Sequence, residues 1–155
     1  MNVASDALHV VFRVGSADYV LPASIVAELD SFTEATAVPG TAAHVIGLVH
    51  VRGRVVPLVD LRARFGLPAV ERQLDHRVVV IEHEGRRIGL LVDAAREVTK
   101  IDPASFTAPP ELVVQRTAGF VKAVAQHGKR LLMLLDCDRI VDSSVDRGAR
   151  HEPHA

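Results

Sequence analysis

The chain has 155 residues, 48% hydrophobic, 4% aromatic and 24% charged, with a formal net charge of −1. That apolar share supports a core and argues against global disorder, while a near-neutral balance with few aromatics argues against a nucleic-acid surface, which needs basic excess and stacking rings. A single cysteine, Cys137, allows no intrachain disulfide and fits a reducing compartment, and there is neither a leader-like start nor an apolar run of the ~20 residues a spanning helix needs, so the expectation is a soluble cytoplasmic protein of one domain or two very small ones.

Valine is scattered through the chain and favours strands. Residues 1–7 are polar or small and read as a loose arm. Residues 8–14 alternate in part (Val10, Phe12, Val14). The chain turns through Gly15-Ser16-Ala17-Asp18 and resumes at 19–21, which makes a hairpin. Pro22 ends it, 23–27 fits one helical turn, and 28–32 returns to extended chain. Residues 36–43 form a loop around Val38-Pro39-Gly40. In 47–62 two Val-rich runs flank Arg52-Gly53, the pattern of a buried hairpin with Arg52 at its tip. The second run ends at Asp60, whose carboxylate is placed to cap a turn over 61–65. Residues 66–77 carry Gly66, Pro68 and a polar cluster, and read as a connector between two halves. Residues 78–81 are a buried strand, 83–87 a turn and 88–92 the returning strand. The stretch 93–98 is ambiguous, and 101–110 is a loop carrying Pro103, Pro109 and Pro110. Strands over 119–125 and 129–135 are joined by Gln126-His127-Gly128. Asp136 is placed to cap a closing helix over 136–141, and 142–155 is polar and frayed.

The two halves repeat one plan: hairpin, short segment, proline loop, hairpin, aspartate. Such a repeat implies duplicated β units of roughly five short strands each, the scale of a small barrel. Barrels that small bury little alone and should pack together, with a groove along the seam. The expected fold is therefore all-β: two five-stranded barrel subdomains over about 9–66 and 77–135, a closing segment at 136–141, and flexible termini at 1–8 and 142–155.

Enzyme chemistry is hard to place. Cys137 lies between Asp136 and Asp138, where acidic neighbours oppose thiolate formation. The eight histidines show no metal-ligand spacing beyond His151-x-x-His154 in the tail, an adventitious pattern at most. His9, His76, His83 and His127 fall in an arm or turns and read as solvated; His44, beside Val45-Ile46, fits a half-buried neutral imidazole as easily as a solvated one. Asp60, Asp93 and Asp136 each follow an apolar strand and read as caps. No glycine-rich phosphate loop is present. Neither a cofactor nor a metal is expected. Arg52 is either a solvated turn residue or a fork of donors at the seam, with Glu28 either its carboxylate or a surface charge.

The pattern Gly-x-x-x-x-Arg-Gly-x-x-x-Pro-x-x-Asp-Leu-Arg at 47–62 resembles the signature of the CheW domain of bacterial chemotaxis. So do Phe12-x-x-Gly15 with Tyr19, Val26-x-Glu28, Val38-Pro39, Gly89-x-x-Val92-Asp93 with Val98, and Leu134-Leu135-Asp136; the likeness spans about 10–141. The resemblance implies two five-stranded SH3-like barrels around a shared apolar interface. It implies a non-enzymatic cytoplasmic adaptor that couples methyl-accepting chemoreceptors to the histidine kinase CheA, contacting the receptor's cytoplasmic tip, the kinase regulatory domain and other CheW-like domains in arrays. Nucleic acid and direct membrane insertion are not implied. By position, the receptor groove would be Val26, Glu28, Gly47, Arg52 and Val98. Three departures bear on kinase contact more than receptor contact: His50 where asparagine is usual, a second hairpin one residue short around 87–89, and a poor helix over 142–148. They leave a second reading, an accessory CheW-like protein that binds receptors without the kinase.

Overall fold

The computed structural model describes residues 7–32, 34–71 and 73–141. The loose arm as far as residue 6, the frayed tail at 142–155 and its His-x-x-His pair lie outside the described residues. Residues 7 and 8, expected in the arm, already belong to the first strand.

Among the described residues ten strands and three short α-helices follow one another: β1 (Ala7–Val14), β2 (Ala17–Pro22), β3 (Val26–Ser31), β4 (Val45–Val51), β5 (Arg54–Asp60), α1 (Leu61–Arg64), β6 (Arg77–His83), β7 (Arg86–Val92), β8 (Ala94–Ile101), α2 (Glu111–Arg116), β9 (Val121–His127), β10 (Arg130–Leu135) and α3 (Cys137–Ile140). The ambiguous stretch 93–98 is strand from Ala94 onward, and the helix at Glu111–Arg116 falls in a segment the sequence pattern leaves unassigned. The β4–β5 turn places Arg52 at φ 52° and Gly53 at φ 80°. Two successive left-handed residues make the kind of two-residue turn whose twist matches antiparallel strands.

The strands form two five-stranded sheets, ordered β8-β1-β2-β10-β9 and β3-β6-β7-β5-β4. The all-β pair of five-stranded units matches expectation; the boundaries do not. The second sheet is built from one continuous stretch, 26–92, and the first from 7–22 together with 94–135. One barrel is inserted into the other, so the division into 9–66 and 77–135 does not correspond to the sheets. The connector at 66–77 lies inside the inserted barrel. Gly, Pro and polar residues mark where chain leaves a sheet, not where a subdomain ends. The true crossings are a 3-10 turn at Ala23–Ile25 and the single residue Asp93, both too short to carry linker composition. Each sheet joins its two hairpins by a parallel pair, β2 with β10 and β5 with β7. Parallel pairs need long connections, so they leave no local mark in the sequence.

The core explains the continuous Val runs. Val10, Phe12 and Val14 on β1 meet Val79, Ile81, Leu90 and Val92 of the other sheet in one shared cluster. The residues between them face inward: Val11 packs with Val20, Ala125 and Leu132, and Val78 and Val80 pack with Val49, Val56 and Leu58. These strands are buried on both faces, one inside its own barrel and one in the seam, which removes the polar alternation of a half-exposed strand.

Candidate functional site

Two edge strands border the seam: β3 of the inserted barrel and β8 of the other. Val26 stands opposite Ile81, and Val98 opposite Val10. Ile81 and Val10 both belong to the shared cluster, and cross-strand partners point to the same face. Val26 and Val98 therefore face the seam from its two sides. Val26 is partly buried against the cluster, whereas Val98 is 54% exposed.

Glu28 lies two residues beyond Val26, past a bulge at Ala27 that brings it opposite Val80. Bulges of this kind re-aim the side chains that follow. Its carboxylate pairs with Arg52 Nε at 2.8 Å and lies 3.6 Å from Arg87 Nη1. The side chain of Arg52 is 66% exposed and that of Glu28 only 16%. The pair contributes under about 1 kcal/mol to stability at that exposure, while leaving a cation held in fixed orientation at the hairpin tip.

Gly47 packs against the protein's own loop. Its φ is 152°, and a Cβ added there would lie 2.0 Å from Thr36 O and 2.7 Å from Thr36 C. Thr36 and Leu48 exchange two backbone hydrogen bonds of 2.8 Å across this point. The close approach that glycine permits is occupied by the protein's own loop, which pairs with the outer edge of β4. Of the five residues, Glu28 and Arg52 touch, Val26 and Val98 share the seam from opposite sheets, and Gly47 shapes the edge strand that leads to Arg52.

A second set of polar contacts went unseen in the sequence. Asp60 and Asp136 cap α1 and α3 as expected, accepting from Arg62 N at 3.0 Å and Asp138 N at 3.1 Å. Asp93 does not cap. It accepts from Arg62 Nε (3.0 and 3.1 Å) and Nη2 (2.9 Å), and from Gly15 N at 2.7 Å. This ties the β1–β2 turn of one barrel to α1 of the other at the crossing itself. Burial pushes the Asp93 carboxyl up, but hydrogen bonds from Arg62 and Gly15, with the charges of Arg62 and His76, outweigh it and hold it below the usual carboxylate range. Arg62 Nη1 also donates to Pro68 O at 2.9 Å. Two residues on, Arg64 donates to Arg139 O at 3.0 Å and stacks 4.8 Å above Phe120. Helix α1 thus braces both barrels. His76, read as solvated, is buried beside Asp93, its Nε2 4.0 Å from the carboxylate. His9, also read as solvated, is buried against Phe106 and bonds Ala7 O at 3.0 Å. The Cys137 thiol is pushed up to about 11, first by burial and then by Asp136 and Asp138, so it is not a poised nucleophile.

The two five-stranded units thus pack on an apolar seam, with Val26 and Val98 on the edge strands beside it and an oriented ion pair at its rim. The chain belongs to the CheW-like domain family, which matches residues 8–145. It is 30% identical over 140 residues to the chemotaxis protein CheW of Rhizobium meliloti (strain 1021), and 27% identical over 140 residues to that of Bacillus subtilis (strain 168), each match covering 90% of both chains. The scaffolding protein TtCheW from Thermoanaerobacter tengcongensis has the same fold, with a TM-score of 0.79, 29% identity and 88% of each chain covered. Membership of this family makes the chain a non-enzymatic scaffold of chemotaxis. Among the described residues no helix is long and apolar enough to cross a membrane.

Proposed function

We propose that this chain is a cytoplasmic adaptor that couples methyl-accepting chemoreceptors to a CheA-type histidine kinase in chemosensory arrays. The observation that carries this reading is the rim of the seam: Val26 and Val98 present apolar contact from two sheets, and the Glu28–Arg52 pair stands close to Val26. A receptor helix lays an apolar stripe along that seam, in the manner of a helix seated in a groove. Arg52, held by Glu28, directs donors at the helix backbone or at an acidic side chain. Gly47 takes part indirectly, by letting the loop at Thr36 fix the hairpin from which Arg52 projects.

Pull-down of the purified chain with a receptor signalling fragment, and separately with the kinase regulatory domain, tests the reading. Capture of both is expected. Capture of neither overturns it, and capture of the receptor alone reduces the chain to an accessory receptor-binding role.

A further inference from the structure

His83 ends β6, Glu84 sits at the tip of the β6–β7 hairpin, and Asp138 lies in α3. Asp138 is more than fifty residues from the adjacent His83 and Glu84, so the sequence shows no ligand spacing, yet the fold brings the three together. His83 Nε2 faces Asp138 Oδ1 at 3.6 Å and Glu84 Oε1 at 3.9 Å, and the three ligand atoms lie within 4.8 Å of one another. The contacts to His83 are too long for hydrogen bonds. The two carboxylates also approach each other with like charge, which a cation between them relieves. The imidazole is held in a nearly enclosed position, its side chain 11% exposed, while the carboxylates are 69% and 81% exposed and move easily. Asp138 is anchored from behind, its backbone N–H donating to Asp136. A tetrahedral Zn2+ with bonds of about 2.0–2.2 Å sets its ligands roughly 3.3–3.6 Å apart, so small shifts of the exposed carboxylates close the site.

We propose that His83, Glu84 and Asp138 form a Zn2+ site, with water completing the tetrahedron. The imidazole selects zinc over magnesium or calcium, which prefer an all-oxygen shell. The hairpin belongs to the inserted barrel, and α3 follows the last strand of the other. The ion therefore staples the two barrels through residues other than those of the Arg62–Asp93 contact. A site assembled by the fold binds zinc more tightly than the unfolded chain does, so zinc raises the unfolding temperature.

The test uses the full chain with His151→Ala and His154→Ala, which removes the competing pair in the tail. Calorimetric titration with zinc chloride is expected to give one ion per chain, and thermal melts a midpoint that rises with zinc. His83→Gln, Asp138→Asn and Glu84→Gln should each weaken binding at least ~10-fold and abolish the rise. Asp138 and Glu84 are exposed, so their variants decide the matter if His83→Gln fails to fold. The proposal is overturned by no saturable binding up to about 1 mM zinc, by unchanged binding in the three variants, or by half an ion per chain, which means bridging between copies. Magnesium binding as tightly as zinc overturns it as well.

Discussion

Replacing Asp93 with asparagine removes a charge that three separate elements lean on. The side chains of Arg62 and Asp93 are only 19% and 12% exposed, so neither is well screened by water. Asparagine keeps the size but offers one acceptor in place of a bidentate carboxylate, and its amide N–H₂ clashes in polarity with whichever donor it meets. Breaking a fully buried pair costs about 3–5 kcal/mol. Discounting for the residual exposure here gives about 2–3 kcal/mol for Asp93→Asn. Urea unfolding at neutral pH reads this as a shift in midpoint at unchanged slope. The pH dependence provides an independent check. The folded-state carboxyl of Asp93 is depressed, so its contribution is fully present above the unfolded value of about 3.9 and is lost as pH falls through the lower folded value. The parent should therefore lose stability faster than the variant below about pH 4. Arg62→Ala should cost a similar amount, and the double variant should cost less than the sum, because one contact is removed twice. An Asp93→Asn variant within about 0.5 kcal/mol of the parent, with the same acid slope, would refute the crossing contact as a stabilising element.

Three further outcomes are expected. Gly47→Ala should destabilise by about 2–4 kcal/mol, because a Cβ collides with backbone at Thr36 and φ is unfavourable; thermal melts and faster amide exchange at Thr36 and Leu48 check this. Arg52→Ala should unfold within about 0.5 kcal/mol of the parent but bind a receptor signalling fragment about 10-fold more weakly, measured by titration calorimetry. Cys137, with its thiol pushed up to about 11, should react slowly with iodoacetamide at neutral pH and speed up steeply as pH approaches 11.

What the sequence reveals is what neighbouring residues decide. Arg52-Gly53 marks a hairpin because two left-handed residues are needed in succession there, and Asp60 and Asp136 mark caps because each sits one residue before a helical turn. Strand order is a property of distant pairs. Val78–Ile81 has the same apolar character whether it lies beside β3 or beside β1, and nothing in its own composition chooses. Asp93 misleads for the same reason: it follows an apolar strand just as Asp60 does, but its partners are Gly15 and Arg62, 78 and 31 residues away. His9 looks solvated from its place near the N-terminal arm and His76 from its polar neighbours, and burial becomes visible only when Phe106 and Asp93 are seen next to them.

The inserted arrangement also bears on where recognition is proposed. A chain that passes between two barrels must do so twice, and the strands emerging from the two crossings are β3 and β8. Both are edge strands, and both border the seam because the crossing leaves them there. Val26 and Glu28 come directly after the first crossing, and Val98 shortly after the second. The second crossing is Asp93, locked to both barrels through Arg62 and Gly15. A contact that fixes the angle between barrels therefore sits five residues from one wall of the proposed groove. Loosening Asp93 should alter the spacing between Val26 and Val98 without touching either, which makes groove geometry and inter-barrel stability two readings of one contact.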